Sequence, residues 1–145
     1  MIKPSADETT PSMREWAQLR ERAMAAMEVA YAPYSGFRVG AAMLGPDGGI
    51  FAGCNVENAS YPAGICAERS AVSAAIAHGV RNFSALVIAT EAESPTPPCG
   101  MCRQVLMEFA PLLAVRSVTR SGAEAQWSMV DLLPQAFTPT SLGRR

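Results

Sequence analysis

Residues 64–79 read GICAERSAVSAAIAHG, and the fold depends on how that stretch is divided. After Cys66 the run is mostly Ala, Ser, Val and Ile, and it closes on His78 and Gly79. Small residues without proline favour a helix, and a glycine just past the last of them is a common stop. A helix opening at Cys66 and ending at His78-Gly79 is therefore expected. Upstream, FRVGAAML (37–44) alternates Phe37, Val39, Ala41 and Met43 on one face, GPDGG (45–49) offers a tight turn, and IFAGCN (50–55) resumes an extended run. That pattern is a β-hairpin. Downstream, FSALVIAT (83–90) has the composition of a buried strand. The proline-rich ESPTPP (93–98) is a loop, Cys99 to Phe109 reads as another helix, and LLAVRSVT (112–119) as another strand. Strands alternating with helices imply parallel neighbours in a sheet covered by helices.

The outer segments are plainer. Ser12 and Glu15 form a capping-box pattern, and Trp16, Leu19, Ala23, Met27 and Ala30 then recur at helical spacing until YAPYSG (31–36) ends the helix. Near the other end, AQWSMV (125–130) reads as an edge strand and DLLPQAF (131–137) as a short helix. No internal repeat or linker divides the chain. The expected organisation is a disordered tail over residues 1–12, one domain over 13–137 and a C-terminal tail over 138–145.

At 145 residues the chain suffices for one domain with a proper core. Twelve basic residues against thirteen acidic ones leave a formal charge of -1, without a basic stripe, which argues against a nucleic-acid partner. The N-terminal MIKPSADETTPS is polar, and no apolar run approaches the roughly 20 residues of a bilayer span, so a membrane partner is not expected either. A cytoplasmic protein is the expectation. In a reducing compartment the four cysteines, Cys54, Cys66, Cys99 and Cys102, are read as metal ligands or reactive thiols before disulfides.

Cys66 stands at the start of one expected helix, and Cys99 and Cys102 stand i, i+3 at the start of another. That spacing puts two thiols on one helix face, and a helix N-terminus favours the thiolate that binds metal. If the two starts face each other they present three sulfurs, leaving the fourth position of a tetrahedral zinc for water. Glu68 would lie beside that water as proton acceptor. Arg69 would donate to the ligand sulfurs and offset a site charge of about -1. Two other readings stay open on spacing alone: a redox Cys-x-x-Cys pair, and a closed structural zinc with Cys54 as fourth ligand. The lone His78 reads as a helix cap or surface residue.

CAER (66–69) followed by PCGMCRQ (98–104) resembles the signature of the zinc-dependent deaminases. With YAPYSGFRVGAA, GCNVENASYP and DLLPQAF, the chain from about Met24 to Phe137 is similar to the small homotetrameric cytidine deaminases. The resemblance implies a three-layer α-β-α fold, a mixed five-stranded sheet with helices on both faces. It implies one zinc per subunit, held by Cys66, Cys99 and Cys102, with zinc-bound hydroxide attacking carbon-4 of cytidine or deoxycytidine and Glu68 shuttling protons. Uridine or deoxyuridine and ammonia would result, in pyrimidine salvage. The likeness also places the ribose at Asn55 and Glu57, the base beside Phe37, and Ala67 against the substrate. Tyr61 and Phe137 would reach a neighbouring subunit's pocket. The period of an extended NVE agrees, since side chains at i and i+2 point the same way. A deaminase of another cytosine-bearing molecule, resembling blasticidin-S deaminase, is disfavoured by Glu57, which would repel a substrate carboxylate. The proline-heavy ESPTPPCG (93–100) departs from the pattern, and its loop shape near the metal is left open.

Overall fold

The computed structural model describes residues 10–144, and its first helix, α1 (Met13–Glu28), begins where the capping box required. Ser12 Oγ accepts from Glu15 N at 3.1 Å, and Glu15 answers on Ser12 N at 2.7 Å. Ser12 is thus the helix cap rather than tail, while residues 1–9 of the expected tail lie outside the described residues. The helix ends at Glu28, two residues short of Ala30, and Trp16, Leu19, Ala23 and Met27 form its buried stripe. Fully burying a Leu or Met side chain contributes about 1.5–3 kcal/mol, so this stripe holds α1 to the sheet.

The hairpin is β1 (Val39–Leu44) and β2 (Ile50–Cys54), paired antiparallel from Gly40 opposite Cys54 to Leu44 opposite Ile50. Then come α2 (Ala67–Ala77), β3 (Ala85–Thr90), α3 (Gly100–Phe109), β4 (Ala114–Thr119), β5 (Glu124–Ser128) and α4 (Met129–Leu132). The sheet runs β2-β1-β3-β4-β5, with β3 and β4 its one parallel pair. Two expectations change in detail. The strand starts at Val39, so Phe37 lies outside it, and β1 is buried on both faces because α1 covers one and α2 the other. The short C-terminal helix is Met129–Leu132, capped by Ser128, and it ends before Pro134, which lacks the N–H to continue. The expected C-terminal tail carries a 3-10 turn at Pro139–Leu142.

Leu19, Ala23, Met27, Ala42, Leu44, Val87 and Ala89 fill one layer, between α1 and the sheet. Met43, Ile88, Ala71, Val72, Leu106 and Met129 help fill the other, under α2, α3 and α4. Two glycines let the helices sit close. A Cβ at Gly40 would come 2.5 Å from Met27 N and nearer still to the Ala23 carbonyl oxygen. One at Gly53 would meet Ser70 Cβ at 2.6 Å and Ala67 O at 2.8 Å. The first glycine admits α1 and the second admits α2.

The register lines up Cys54, Gly40, Ala89 and Val118 across the sheet. The carboxyl ends of β2, β3 and β4 therefore share one end of the molecule, where α2 and α3 begin. On the α1 side of that end, four charged side chains, three exposed and Arg38 half-buried, form a ring. Arg120 bridges Glu28 at 2.6 Å and Glu91 at 2.9 Å, and Arg38 bonds Glu91 and reaches Glu28 at 3.5 Å. Hydrogen bonds from Arg38 and Arg120 hold the Glu91 carboxyl below its usual range. Among the described residues no helix is long and apolar enough to cross a membrane.

Candidate metal centre and substrate cleft

Cysteine is an uncommon helix cap, yet it caps both helices that open at this end. Cys66 is the residue before α2 and Cys99 the residue before α3, both with extended backbone, ψ 157° and 165°. Cys99 Sγ accepts from Cys102 N at 3.5 Å, the role a serine oxygen ordinarily fills. Two helix N-termini thus direct their positive ends at the sulfurs. The ligand atoms of Cys66, Glu68, Cys99 and Cys102 all lie within 4.8 Å of one another. Cys66 Sγ and Cys99 Sγ are 3.6 Å apart, well beyond a disulfide bond. Thiolates about 2.3 Å from a tetrahedral zinc stand roughly 3.8 Å apart, so the spacing fits that ion.

The charges of the thiols agree. The Cys66 thiol is lowered to about 5, chiefly because Cys102 donates to its sulfur, with Arg69 and Cys99 adding to the effect. Cys102, beside that negative sulfur, buried, and facing Glu68, keeps its proton more tightly than a free thiol. Thiols bind a divalent ion as thiolates, so a Cys66 sulfur that ionises readily beside neighbouring thiols suits such an ion. Arg69 Nη2 lies 3.7 Å from Cys66 Sγ, as expected of a residue that offsets thiolate charge. Among the described residues its buried Nε has no partner.

Glu68 is 4% exposed in the first turn of α2, and burial raises its carboxyl pKa. A cleft of about 490 Å³ opens from this group to the surface. Phe37, Asn55, Glu57, Tyr61 and Ala67 all line it, together with Cys66, Cys99 and Arg69. Asn55 Oδ1 accepts from Val39 N and Nδ2 donates to Phe37 O, both at 2.8 Å. Glu57 accepts from Tyr34 N at 2.9 Å, Ser35 N at 3.0 Å and Ser35 Oγ, which holds its carboxyl below the usual range. Tyr61 stands largely exposed at the mouth, edge-on to Tyr34. Cys102, fully buried behind the cleft, does not line it, and neither does Phe137. Phe137 is 59% exposed, on a segment whose carbonyl takes a 2.8 Å bond from Gln104 Nε2.

Cys54 lies outside the cluster, half-buried at the end of β2. His78 caps α2, its ring nitrogen bonded to Ala74 O at 2.8 Å. Sequence reading missed four contributors. Ser35 supports Glu57, Thr96 and Pro97 form the wall near the sulfurs, and Arg103 ties Pro98 O to Leu132 O, each at 2.8 Å. Only the last carried a signal, the arginine after PCGMC, whose role as a cross-brace needs the fold to be seen.

Residues 13–117 match the sequence profile of the cytidine and deoxycytidylate deaminase zinc-binding region. The chain belongs to this deaminase family. A curated cytidine deaminase of Sporosarcina psychrophila is 45% identical over 118 residues, 81% of this chain and 87% of its own length. One from Mycobacterium tuberculosis strain H37Rv is 42% identical over 134 residues, 90% of this chain and 95% of its own. The 1.6 Å crystal structure of cytidine deaminase from Burkholderia pseudomallei matches with TM-score 0.81 and 49% identity, covering 83% of this chain and 98% of that one. The deaminase fold is thus the three-layer arrangement and mixed five-stranded sheet that the resemblance implied. The family's zinc and the four-residue cluster coincide, so one zinc per chain is the cofactor.

Proposed function

We propose that the protein hydrolyses cytidine and deoxycytidine to uridine and deoxyuridine with release of ammonia. The observation that carries this is a buried carboxyl, Glu68, packed among three thiols at the closed end of a cleft of nucleoside size. Cys66, Cys99 and Cys102 would hold zinc, and zinc held there supplies Lewis acidity that lowers the pKa of water at the site. Glu68 takes the proton of the attacking water and delivers it to the base ring nitrogen. It then carries the second proton to the departing amine. A carboxyl whose pKa is raised by burial suits both halves of that traffic, since it takes a proton more readily than an exposed carboxyl and can still hand it to a more basic nitrogen. Arg69 spreads thiolate charge and so keeps the water acidic.

Substrate orientation falls to the rest of the cleft. Phe37 offers a face to the base and Ala67 a small surface beside the zinc. Glu57 has about four lone-pair sites, three already occupied by donors of the 34–35 turn. One remains for a sugar hydroxyl. Asn55 keeps one amide hydrogen beyond its two backbone bonds. Residues 13–137 form the catalytic domain, and four chains assemble, with Phe137 turned toward a neighbour's cleft and Tyr61, at the mouth of its own, reaching a neighbour's as well. The open groove between α2 and α3, lined by Ile65, Val72, Ile76, Val105 and Phe109, supports an assembly that covers it. Four free thiols support a cytoplasmic site of action. A zinc count joined to a cytidine-to-uridine absorbance assay tests the proposal. One zinc per chain with turnover is expected, and a zinc-loaded protein inert toward cytidine and deoxycytidine would overturn it.

A further inference from the structure

ESPTPPCG (93–100) joins β3 to α3 and delivers Cys99 to the site, and its shape is set from beneath by buried hydroxyls. Along the faces of β3 and β4 that look toward α2 and α3, apolar residues (Leu86, Ile88, Val115) give way at the carboxyl end to Thr90, Ser117 and Thr119. All three are fully buried. Hydroxyls in such a place need partners, and two find them in the loop. Ser117 Oγ accepts from Thr96 N at 2.9 Å, and Thr90 Oγ1 lies 3.3 Å from Thr96 Oγ1 while accepting from Ala92 N at 3.3 Å. The third, Thr119, bonds instead to Ser121 and Ala123 in the turn after β4.

Only Pro97 and Pro98 separate the moored Thr96 from Cys99. Each proline fixes its own φ, and each restricts the residue before it to extended backbone. Pro98 is buried, and Arg103 Nε holds its carbonyl at 2.8 Å. Thr96 and Pro97 also line the cleft beside the sulfurs. A chain tied at one end and stiff for its two remaining residues acts as a strut. We propose that Ser117, with Thr90 in support, is a positioning residue that fixes the Cys99 sulfur and the inner cleft wall through the Thr96-Pro97-Pro98 strut. Neither hydroxyl touches the cleft. The inference rests on the reading of Cys99 as a zinc ligand in a cytidine deaminase.

The strut braces the reacting end of the cleft and leaves the sugar end, at Asn55 and Glu57, alone. Ser117→Ala should therefore lower kcat for cytidine about tenfold, the scale of one hydrogen bond lost to a group left unpaired. KM should stay within about twofold. Zinc release from the holoenzyme to a chromogenic chelator, read without substrate, should quicken several-fold. Thr90→Val should move both readings the same way by less. Thr119→Val is the control, an equally buried hydroxyl on the same strand face that does not reach the loop. It should lower thermal stability comparably while leaving kcat and zinc release at wild-type values. Wild-type kcat and zinc release in Ser117→Ala would overturn the strut, as would an equal fall of kcat in Thr119→Val. If Ser117→Ala does not fold, Thr90→Val with unchanged kcat and zinc release decides against it. A wild-type protein that neither holds zinc nor deaminates cytidine would defeat the functional reading itself, whereas a silent Ser117→Ala in an active wild type defeats the strut alone.

Discussion

Gly53→Ala adds one methyl group to β2, at a point where α2 leaves no room for it. The new Cβ would stand 2.6 Å from Ser70 Cβ and nearer still to Ala71 N, whereas ordinary contact begins at 3.4 Å, so β2 and α2 must separate by at least about 0.8 Å. The obstructing atoms include Ala67 O and Ala71 N, backbone of the first turns of α2, which no side-chain rotation can remove. Overpacking of this kind costs about 1–3 kcal/mol, or a fall in melting temperature of roughly 3–10 °C for a chain this size. Function should suffer more than stability. Whichever element yields, Asn55 after β2 and Cys66 before α2 move apart, and misplacement near 1 Å can cost about a hundredfold in rate. Gly40→Ala is the matched control. Its Cβ meets α1 at least as closely, but α1 carries no group of the cleft. Thermal melts, zinc content and kcat/KM measured well below the transition would compare the two. Comparable destabilisation is expected, with a ten- to hundredfold loss of kcat/KM confined to Gly53→Ala. Equal losses of turnover in both variants, or none in Gly53→Ala, would refute the reasoning.

Glu68→Gln should keep zinc and fold while losing at least about a hundredfold in turnover, since the amide cannot take a proton; near wild-type turnover by absorbance would count against the proton shuttle. Cys54→Ser should retain zinc and most activity, and a zinc-free protein on metal analysis would restore the closed-site reading. Glu57→Ala should cut cytidine kcat/KM roughly ten- to a hundredfold with zinc intact, and Ser35→Ala, which removes one of the carboxylate's partners, should cut it less. Unchanged cytidine kinetics in Glu57→Ala would take that residue out of sugar binding. Light scattering should give about four times 15.4 kDa, with Phe137→Ala raising KM for cytidine; a fully active monomer would end the shared-cleft reading.

The two helix starts were legible because local signals agreed with the global fold at Cys66 and Cys99. At Cys66 a proline-free run of small residues and a glycine stop pointed one way, and at Cys99 the proline-rich loop before it marked where a helix could begin. The capping box at Ser12 and the hairpin turn at 45–49 were legible for the same reason. What escaped was long-range. That β1 is buried on both faces follows from α1 packing across Gly40, a contact between residues 23 and 40 that no window of sequence displays. Phe37 alternates with Val39 in sequence, yet the strand ends at Val39 because Asn55 takes the backbone bonds at 37 and 39. Ser117 reads as an ordinary polar residue in an apolar strand until the loop it anchors is in place. The site ligands were chemically conspicuous and their supports were not, since a supporting hydroxyl differs from a surface one only in what lies above it.

The ring of Arg38, Glu91, Arg120 and Glu28 contains two cations and two anions, so its far field nearly cancels. It staples the end of α1, the approach to β1 and the exits of β3 and β4 without laying a net potential over the cleft on the other side of the sheet. A nucleoside has no formal charge for such a potential to guide, and its encounter with the cleft proceeds by diffusion alone. Added salt, which screens exposed pairs over about 10 Å at 0.1 M, would therefore slacken the staple while leaving the arrival of an uncharged molecule at its original frequency. Cohesion and capture are thereby uncoupled: ionic conditions reach the first through the ring and have no handle on the second.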